Sequence, residues 1–200
     1  MERALCQKVY TTMEGKFMSN NNKIGFEEYK LILEKAFEAN NPIVLGSQVT
    51  NLLVTTMEVK GASILVVNPK TEELEILATE GLSVSYLNKG PILVDKSIKL
   101  ASNLKPVVIT DTEKSDLLQY PEKAENEGIR SIISLPINIR GKIIGGMRIY
   151  HSEPWDVSEQ ELSYLKLLAV SLGMALKYFR LSAVIQSTRD MLGEIHPIWL

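Results

Sequence analysis

Glu127-Gly-Ile-Arg-Ser-Ile-Ile-Ser-Leu-Pro-Ile-Asn-Ile-Arg-Gly-Lys-Ile-Ile-Gly-Gly-Met-Arg-Ile-Tyr-His151 decides the fold of this 200-residue chain. Two apolar, β-branched runs, Ser131–Ile139 and Lys142–Tyr150, flank Arg140-Gly141. Branched side chains fit a pleated surface, and glycine supplies the positive φ of a two-residue hairpin turn. Ile143, Ile144, Met147 and Ile149 give the second run its core residues. Gly145-Gly146 between them removes Cβ atoms, which points to a bulge or a close backbone approach. Pro136 has no N–H to donate, so the first strand has a free stretch or a bend there. The stretch reads as the centre of an antiparallel sheet.

Upstream of it, Phe26–Ala39 places Phe26, Tyr29, Ile32, Leu33, Ala36 and Phe37 on one helical face, with Glu27, Glu28, Lys30, Glu34 and Lys35 toward water. Asn40-Asn-Pro42 ends that helix. A second runs from Pro42 to Glu58 with Leu45, Val49, Leu52, Leu53 and Thr56 as its stripe, and proline is tolerated in its first turn. Ala62–Val67 and Glu73–Thr79 are β-rich and joined by the turn residues Asn68-Pro-Lys-Thr71. Ser83–Asn88 predicts a helical turn, Gly90–Val94 a short strand, Ser97–Leu104 a short helix capped near Asp95, and Pro106–Ile109 another short strand. Thr112–Glu127 is polar and helical in pieces. Before all of these, residues 2–18 carry Leu5, Val9, Met13 and Phe17 at helical spacing, and Ser19–Gly25 reads as a linker.

Downstream, Ser158 and Glu161 form a capping box, each side chain satisfying a free N–H at a helix start. The helix runs to near Leu192, about 50 Å at 1.5 Å per residue. Leu165, Leu168, Leu172, Ala175 and Phe179 form its stripe, with Leu162, Ala169 and Leu176 beside it. A helix this long outreaches its globule. Its far end keeps Val184, Ile185, Met191 and Leu192 apolar, the pattern of a two-helix seam between subunits.

Composition sets the bounds. With 45% hydrophobic residues, the chain can bury one substantial core. A net charge of −2 gives no global attraction to nucleic acid or to a membrane surface. No run of about 18 apolar residues is seen to span a bilayer. The amino terminus lacks a signal-peptide layout. Cys6 is the one cysteine, which rules out an intrachain disulfide framework and any multi-cysteine metal or redox site. The expectation is a cytoplasmic protein that binds neither nucleic acid nor membrane.

The order of elements resembles a GAF domain over residues 26–181. The residues that carry the resemblance are Gly61-Ala-Ser-Ile-Leu65, Ala78-Thr-Glu-Gly81, Pro106-Val-Val-Ile-Thr-Asp111 and Gly128-Ile-Arg-Ser-Ile-Ile-Ser-Leu-Pro136. Gly141-Lys-Ile-Ile-Gly-Gly-Met-Arg-Ile-Tyr150 is the best match, leading through Trp155-Asp-Val-Ser158 into the last helix. The resemblance implies an α+β fold: a central antiparallel sheet of about six strands, helices on both faces and a long C-terminal helix. Residues 1–25 then form an N-terminal helix and linker, 26–181 the domain and 182–200 a helical extension. The resemblance further implies that the connections across Leu82–Lys123 close over a small-molecule pocket, and that the terminal helices make a homodimer.

By that resemblance the ligand-binding residues are Leu87, Val108, Thr110, Asp111, Tyr120, Ser131, Ile133, Leu135 and Arg148, with Ser134 also reaching the cavity. Arg148 lies between Met147 and Ile149, where an apolar residue is easier to bury. A buried guanidinium needs an acceptor, either an acidic ligand or Asp111, or else an acid on the long helix.

Several chemistries are disfavoured. Asn88-Lys89 leads into Gly90-Pro91, so the Asn-Lys-Phe-Asp-Glu pattern of cyclic-nucleotide binders is broken. Cys6 stands before the domain, where it serves neither a bilin thioether nor the several-thiol chemistry of free methionine sulfoxide reductases. His151 and His196 are far apart and carry no metal-ligand spacing, and His196-Pro197 lacks the surroundings of a phosphoacceptor histidine. Lys99, Lys105 and Lys114 make no nucleic-acid patch. No catalytic constellation, metal set or particular cofactor is read from the residues. The functional expectation is a non-catalytic, small-molecule-sensing regulatory domain of a signal-transduction protein, a homodimer feeding a downstream output domain or partner protein. The alternative is a dimerisation or docking module whose pocket has collapsed.

Overall fold

The computed structural model describes residues 23–68, 70–71, 73–90, 92–93 and 104–192. The helix expected over 2–18, Cys6, the cap at Asp95, the short helix from Ser97 and His196 lie outside the described residues.

The elements in chain order begin with α1 (Phe26–Phe37), α2 (Pro42–Met57), β1 (Gly61–Val67) and β2 (Glu73–Glu80). Then come α3 (Val84–Leu87), β3 (Ile92–Leu93), β4 (Val107–Ile109), a 3₁₀ turn (Thr112–Lys114) and α4 (Pro121–Asn126). The chain ends with β5 (Ser131–Ile139), β6 (Lys142–His151) and α5 (Glu159–Leu192). The sheet is antiparallel with the order β3-β2-β1-β6-β5-β4. Five strands make its body; the segment Ile92–Leu93 adds a two-residue edge against Glu73 and Leu74.

The β5–β6 hairpin is closed by Arg140 at φ 51° and Gly141 at φ 80°, so both turn residues take the left-handed conformation that matches strand twist. Both readings of the glycine pair hold. The register slips between Ile137 and Asn138, which face Gly145 and Ile143, leaving Ile144 as the extra residue of a bulge. A Cβ on Gly145 would meet the Leu65 carbonyl oxygen at 2.2 Å, so β1 and β6 approach there as only glycine permits. The pairing of β4 stops opposite Ser134, which leaves β5 unpaired on that side at Pro136.

Alternation along these strands separates two cores. Ala62, Ile64, Ile133, Leu135, Ile137, Met147 and Ile149 pack under α1, α2 and α5. Ile132 and Tyr150 point to the opposite face, where they pack with Tyr86 of α3, Ile109 and Ala124 of α4. Helices therefore cover both faces.

On the first face, Leu45, Val49, Leu53 and Met57 of α2 and Ile32 and Ala36 of α1 are buried. Phe26 and Phe37, expected on the same inward stripe, are exposed, because the stripe that faces the sheet runs through Tyr29, Ile32 and Ala36. Asn41 does more than end a segment: its Oδ1 accepts from the N–H groups of Ile43 and Val44 and so caps α2.

The capping box of α5 forms as expected. Ser158 N–H donates to Glu161 Oε2 at 2.8 Å and Glu161 N–H to Ser158 Oγ at 3.2 Å. Glu161 Oε1 also accepts from Lys23 N–H, tying α5 to the chain entering α1. Leu165, Leu168, Ala169, Leu172 and Leu176 are buried, and every residue from 181 to 190 is exposed. The expectation that no segment is apolar enough to span a bilayer is corrected here. The stretch Glu159–Asp190 is long and apolar enough by length and composition, with a mean hydropathy of 1.5 over 18 residues. Its inner stripe nevertheless serves the protein core.

Gly145→Ala is expected to lower the unfolding free energy by about 2 kcal/mol or more, because the new methyl group meets backbone that cannot rotate away. The check is urea denaturation, in which the midpoint falls while the slope stays constant.

Candidate functional site

The face opposite α5 carries a row of polar side chains in register across three strands. Ser63 of β1 and Ser134 of β5 both pair with Arg148 of β6. All three are buried, with exposures of 3%, 1% and 5%. An apolar sheet face places them there only at a cost, since a buried charge or hydroxyl needs compensation. Ser63 Oγ lies 3.1 Å from Tyr150 OH. Ser134 Oγ has no hydrogen-bond partner among the described residues.

Above this row, α3 contributes Tyr86, whose ring meets that of Tyr150 edge-on at 5.8 Å. Burial first, and then Tyr150, push the Tyr86 phenol above its ordinary range, so it stays a neutral donor. Lys89, just past α3, sets its Nζ 3.6 Å from the centre of the Tyr86 ring and donates to the Tyr86 carbonyl at 3.1 Å. Burial and, next, the neighbouring Arg148 charge lower the Lys89 ammonium to about 8. Glu127 secures α3 from below by accepting from Ser83 N–H and Ser83 Oγ. Burial works to raise the Glu127 carboxyl, and the bonds from Ser83 outweigh it, so the group lies below its ordinary value.

Of the residues expected at the site, Arg148 is at its centre. Tyr120 borders it, with its hydroxyl against the backbone of Gly90, where a Cβ would come within 2.7 Å. Ile133 and Leu135 do not line it: they point into the helix-side core, one residue out of phase with Ile132 and Ser134. Ser131 shares their face and donates to the Glu153 carbonyl at 2.9 Å. Val108 packs against that same core. Leu87 is half-buried, while its neighbour Tyr86 takes the inward position.

Thr110 and Asp111 lie with Val108 along a separate open cleft of about 490 Å³. There Asp111 pairs with Lys114 and Arg130, each at 3.1 Å, so it is not the acceptor for Arg148. Lys114 and then Arg130, against the opposing effect of burial, hold the Asp111 carboxyl below its ordinary value. An acid on α5 is not the acceptor either, because α5 packs on the other face of the sheet.

Sequence reasoning missed Ser63, Tyr86, Lys89 and Tyr150. Ser63 carried a signal, a lone hydroxyl in the otherwise apolar Ala62–Val67 run. Tyr86 and Lys89 carried none, because only the path of the chain after β2 brings α3 over Arg148.

The GAF domain profile matches residues 41–176, and the chain belongs to the GAF domain family. Among solved structures, it is similar to the GAF domain of a phosphoenolpyruvate-protein phosphotransferase from Coxiella burnetii. That likeness has 18% identity and a TM-score of 0.71, covering 79% of this chain and 95% of the other. It is also similar to a free methionine-R-sulfoxide reductase from Neisseria meningitidis, solved with its substrate. Here the identity is 14% and the TM-score 0.68, with coverage of 82% and 98%. A bacteriophytochrome from R. palustris is matched at 11% identity and a TM-score of 0.64, over 83% of this chain and 40% of the other. No curated protein matches the chain.

His151 stands at the end of β6 beside a second cleft, of about 630 Å³, that Lys23, Glu28, Glu153, Asp156 and Glu161 also line. Its Nδ1 accepts from Glu153 N–H at 2.9 Å. Burial, and then Lys23, lower the imidazolium below its ordinary 6.5. The folded protein therefore binds fewer protons there than the unfolded chain, and the contribution is full above pH 6.5 and lost as pH falls below it. Thermal melts from pH 7.5 to 5.5 should show a falling Tm in the wild type and a flatter profile in His151→Gln.

Proposed function

We propose that this chain is the non-catalytic, cytoplasmic sensing domain of a signal-transduction protein. It binds a small molecule on the Ser63–Arg148–Ser134 face and pairs with a second copy through its terminal helices, for a downstream output domain or partner protein to read. The observation that carries the reading is the buried polar row itself. Within that row the Ser134 hydroxyl is buried and has no hydrogen-bond partner among the described residues, a cost that a ligand acceptor would remove. The family generally serves sensing and regulatory roles, which supports the same conclusion. Cys6 is the one thiol of the chain, so the several-thiol chemistry of methionine sulfoxide reduction has no counterpart in it.

The pairing rests on the outer face of α5. Leu167, Val170, Met174, Leu181 and Val184 are all more than half exposed and fall at the three- and four-residue spacing of a heptad seam. A second copy laid along that seam would cover them. The inner stripe of the same helix is fixed to the sheet, which favours a neighbouring helix over a bilayer and so a cytoplasmic setting.

Native mass spectrometry of the full chain as purified should show a dimer carrying a small adduct that is lost on denaturation. A bare dimer would favour the docking module with a collapsed pocket and overturn the sensing reading. Met174→Glu combined with Leu181→Glu should sediment as a monomer with an unchanged far-UV spectrum. A wild type that is itself monomeric would remove the dimer from the account.

A further inference from the structure

Resting on the reading of the chain as a domain whose state a partner protein reads, we infer that the partner docks in a groove beside α5. The docked segment is acidic, with an apolar side chain set between carboxylates.

The groove follows from two prolines. β4 begins with Val107 paired to Ser134. Continued backward, that register would set Pro106 opposite Leu135 and Lys105 opposite Pro136. Neither proline has an N–H to give the ladder, so pairing stops. Leu104 then takes a left-handed φ of 52°, which its Cβ disfavours. The two chains part, and a groove of about 310 Å³ opens between them and α5. On one flank of α5, α1 packs closely, with Tyr29 stacked on Tyr164 at a centroid distance of 5.7 Å. Lys166, Ala169 and Val170 fall on the opposite flank, along the groove.

Its floor is apolar, made by the buried residues Leu135, Pro136 and Ala169. Leu104 and Val170, both exposed, extend that surface to the rim. Two cations border it, Lys105 from the chain before β4 and Lys166 from α5. Both are exposed, and neither forms an ion pair among the described residues. The described residues that line the groove include no acid. An apolar floor receives a leucine- or phenylalanine-sized anchor, and ammonium groups at the border select carboxylates beside it.

Val170 is the one residue that the groove shares with the α5 seam named above, so a docked segment would lie beside the second copy. Leu135 and Pro136 also follow Ser134 directly on β5. A movement of that strand on ligand binding would therefore reach the groove floor.

The test is fluorescence anisotropy of a labelled hexapeptide, Leu-Phe with two acidic residues on either side, titrated with the full chain. The wild type should bind it, with affinity falling as salt is raised. Serines in place of Leu-Phe should weaken binding about tenfold or more. Lys105→Glu and Lys166→Glu should each weaken it about threefold or more, with unchanged far-UV spectra. Leu104→Asn should also weaken it while leaving the urea midpoint equal or higher, because asparagine tolerates left-handed φ. No binding by the wild type, or equal binding by the Lys105→Glu/Lys166→Glu double variant, overturns the inference. A double variant that sediments as a monomer where the wild type is a dimer would assign the groove to the second copy, and would also overturn it. If native mass spectrometry finds an adduct and the peptide does not bind, sensing stands and only this surface fails. If the peptide binds and no adduct is found, the docking surface stands and the sensing reading falls.

Discussion

The two-residue period of the β5–β6 hairpin is the constraint from which the rest follows. The left-handed pair Arg140-Gly141 fixes where the strands turn, and the bulge at Ile144 fixes their register. With register set, Met147 and Ile149 go under the helices while Arg148 and Tyr150 go to the other face. A slip of one residue would exchange the two sets and bury the guanidinium beneath α5. The close approach of Gly145 to the Leu65 carbonyl opposes that slip, since it requires glycine at one position of the ladder.

A single strand thus serves a core on one side and a polar site on the other. The helix-side core is continuous and apolar, and it anchors the first half of α5 through Leu165, Leu168, Leu172 and Leu176. The site side has fewer apolar residues, and its short helices α3 and α4 are held by Tyr86, Ala124 and the bonds between Ser83 and Glu127. That asymmetry places stability on one face and adaptability on the other. Elements with few buried apolar contacts open at lower free energy, and ligand-binding segments are drawn from them.

Much of this architecture was legible in the residues. The hairpin, the glycine pair, the capping box at Ser158 and the helices at Phe26 and Pro42 follow local rules of pattern and turn chemistry, and the structure forms each of them. The site was legible only at Arg148, a charge in an apolar run. Ile133 and Leu135 were misplaced because an uninterrupted apolar strand does not state which parity faces which layer. That is decided by where α5 packs, far along the chain. The pairing of Asp111 with Arg130 was hidden because Arg130 lies just before β5, where the chain bends toward the 3₁₀ turn. Lys89 was noticed only as part of a broken motif, and its role depends on α3 folding back over the sheet.

The central claim is that the buried hydroxyl of Ser134, in register with Arg148, is kept for binding and not for the fold. Urea unfolding of Ser134→Ala after removal of any bound small molecule tests it most directly. Removing a buried hydroxyl that has no hydrogen-bond partner in the protein removes a desolvation cost and no bond. The account predicts an unfolding free energy equal to that of the wild type or above it. A loss of about 2 kcal/mol or more would show that the hydroxyl is bonded within the fold, and would contradict it.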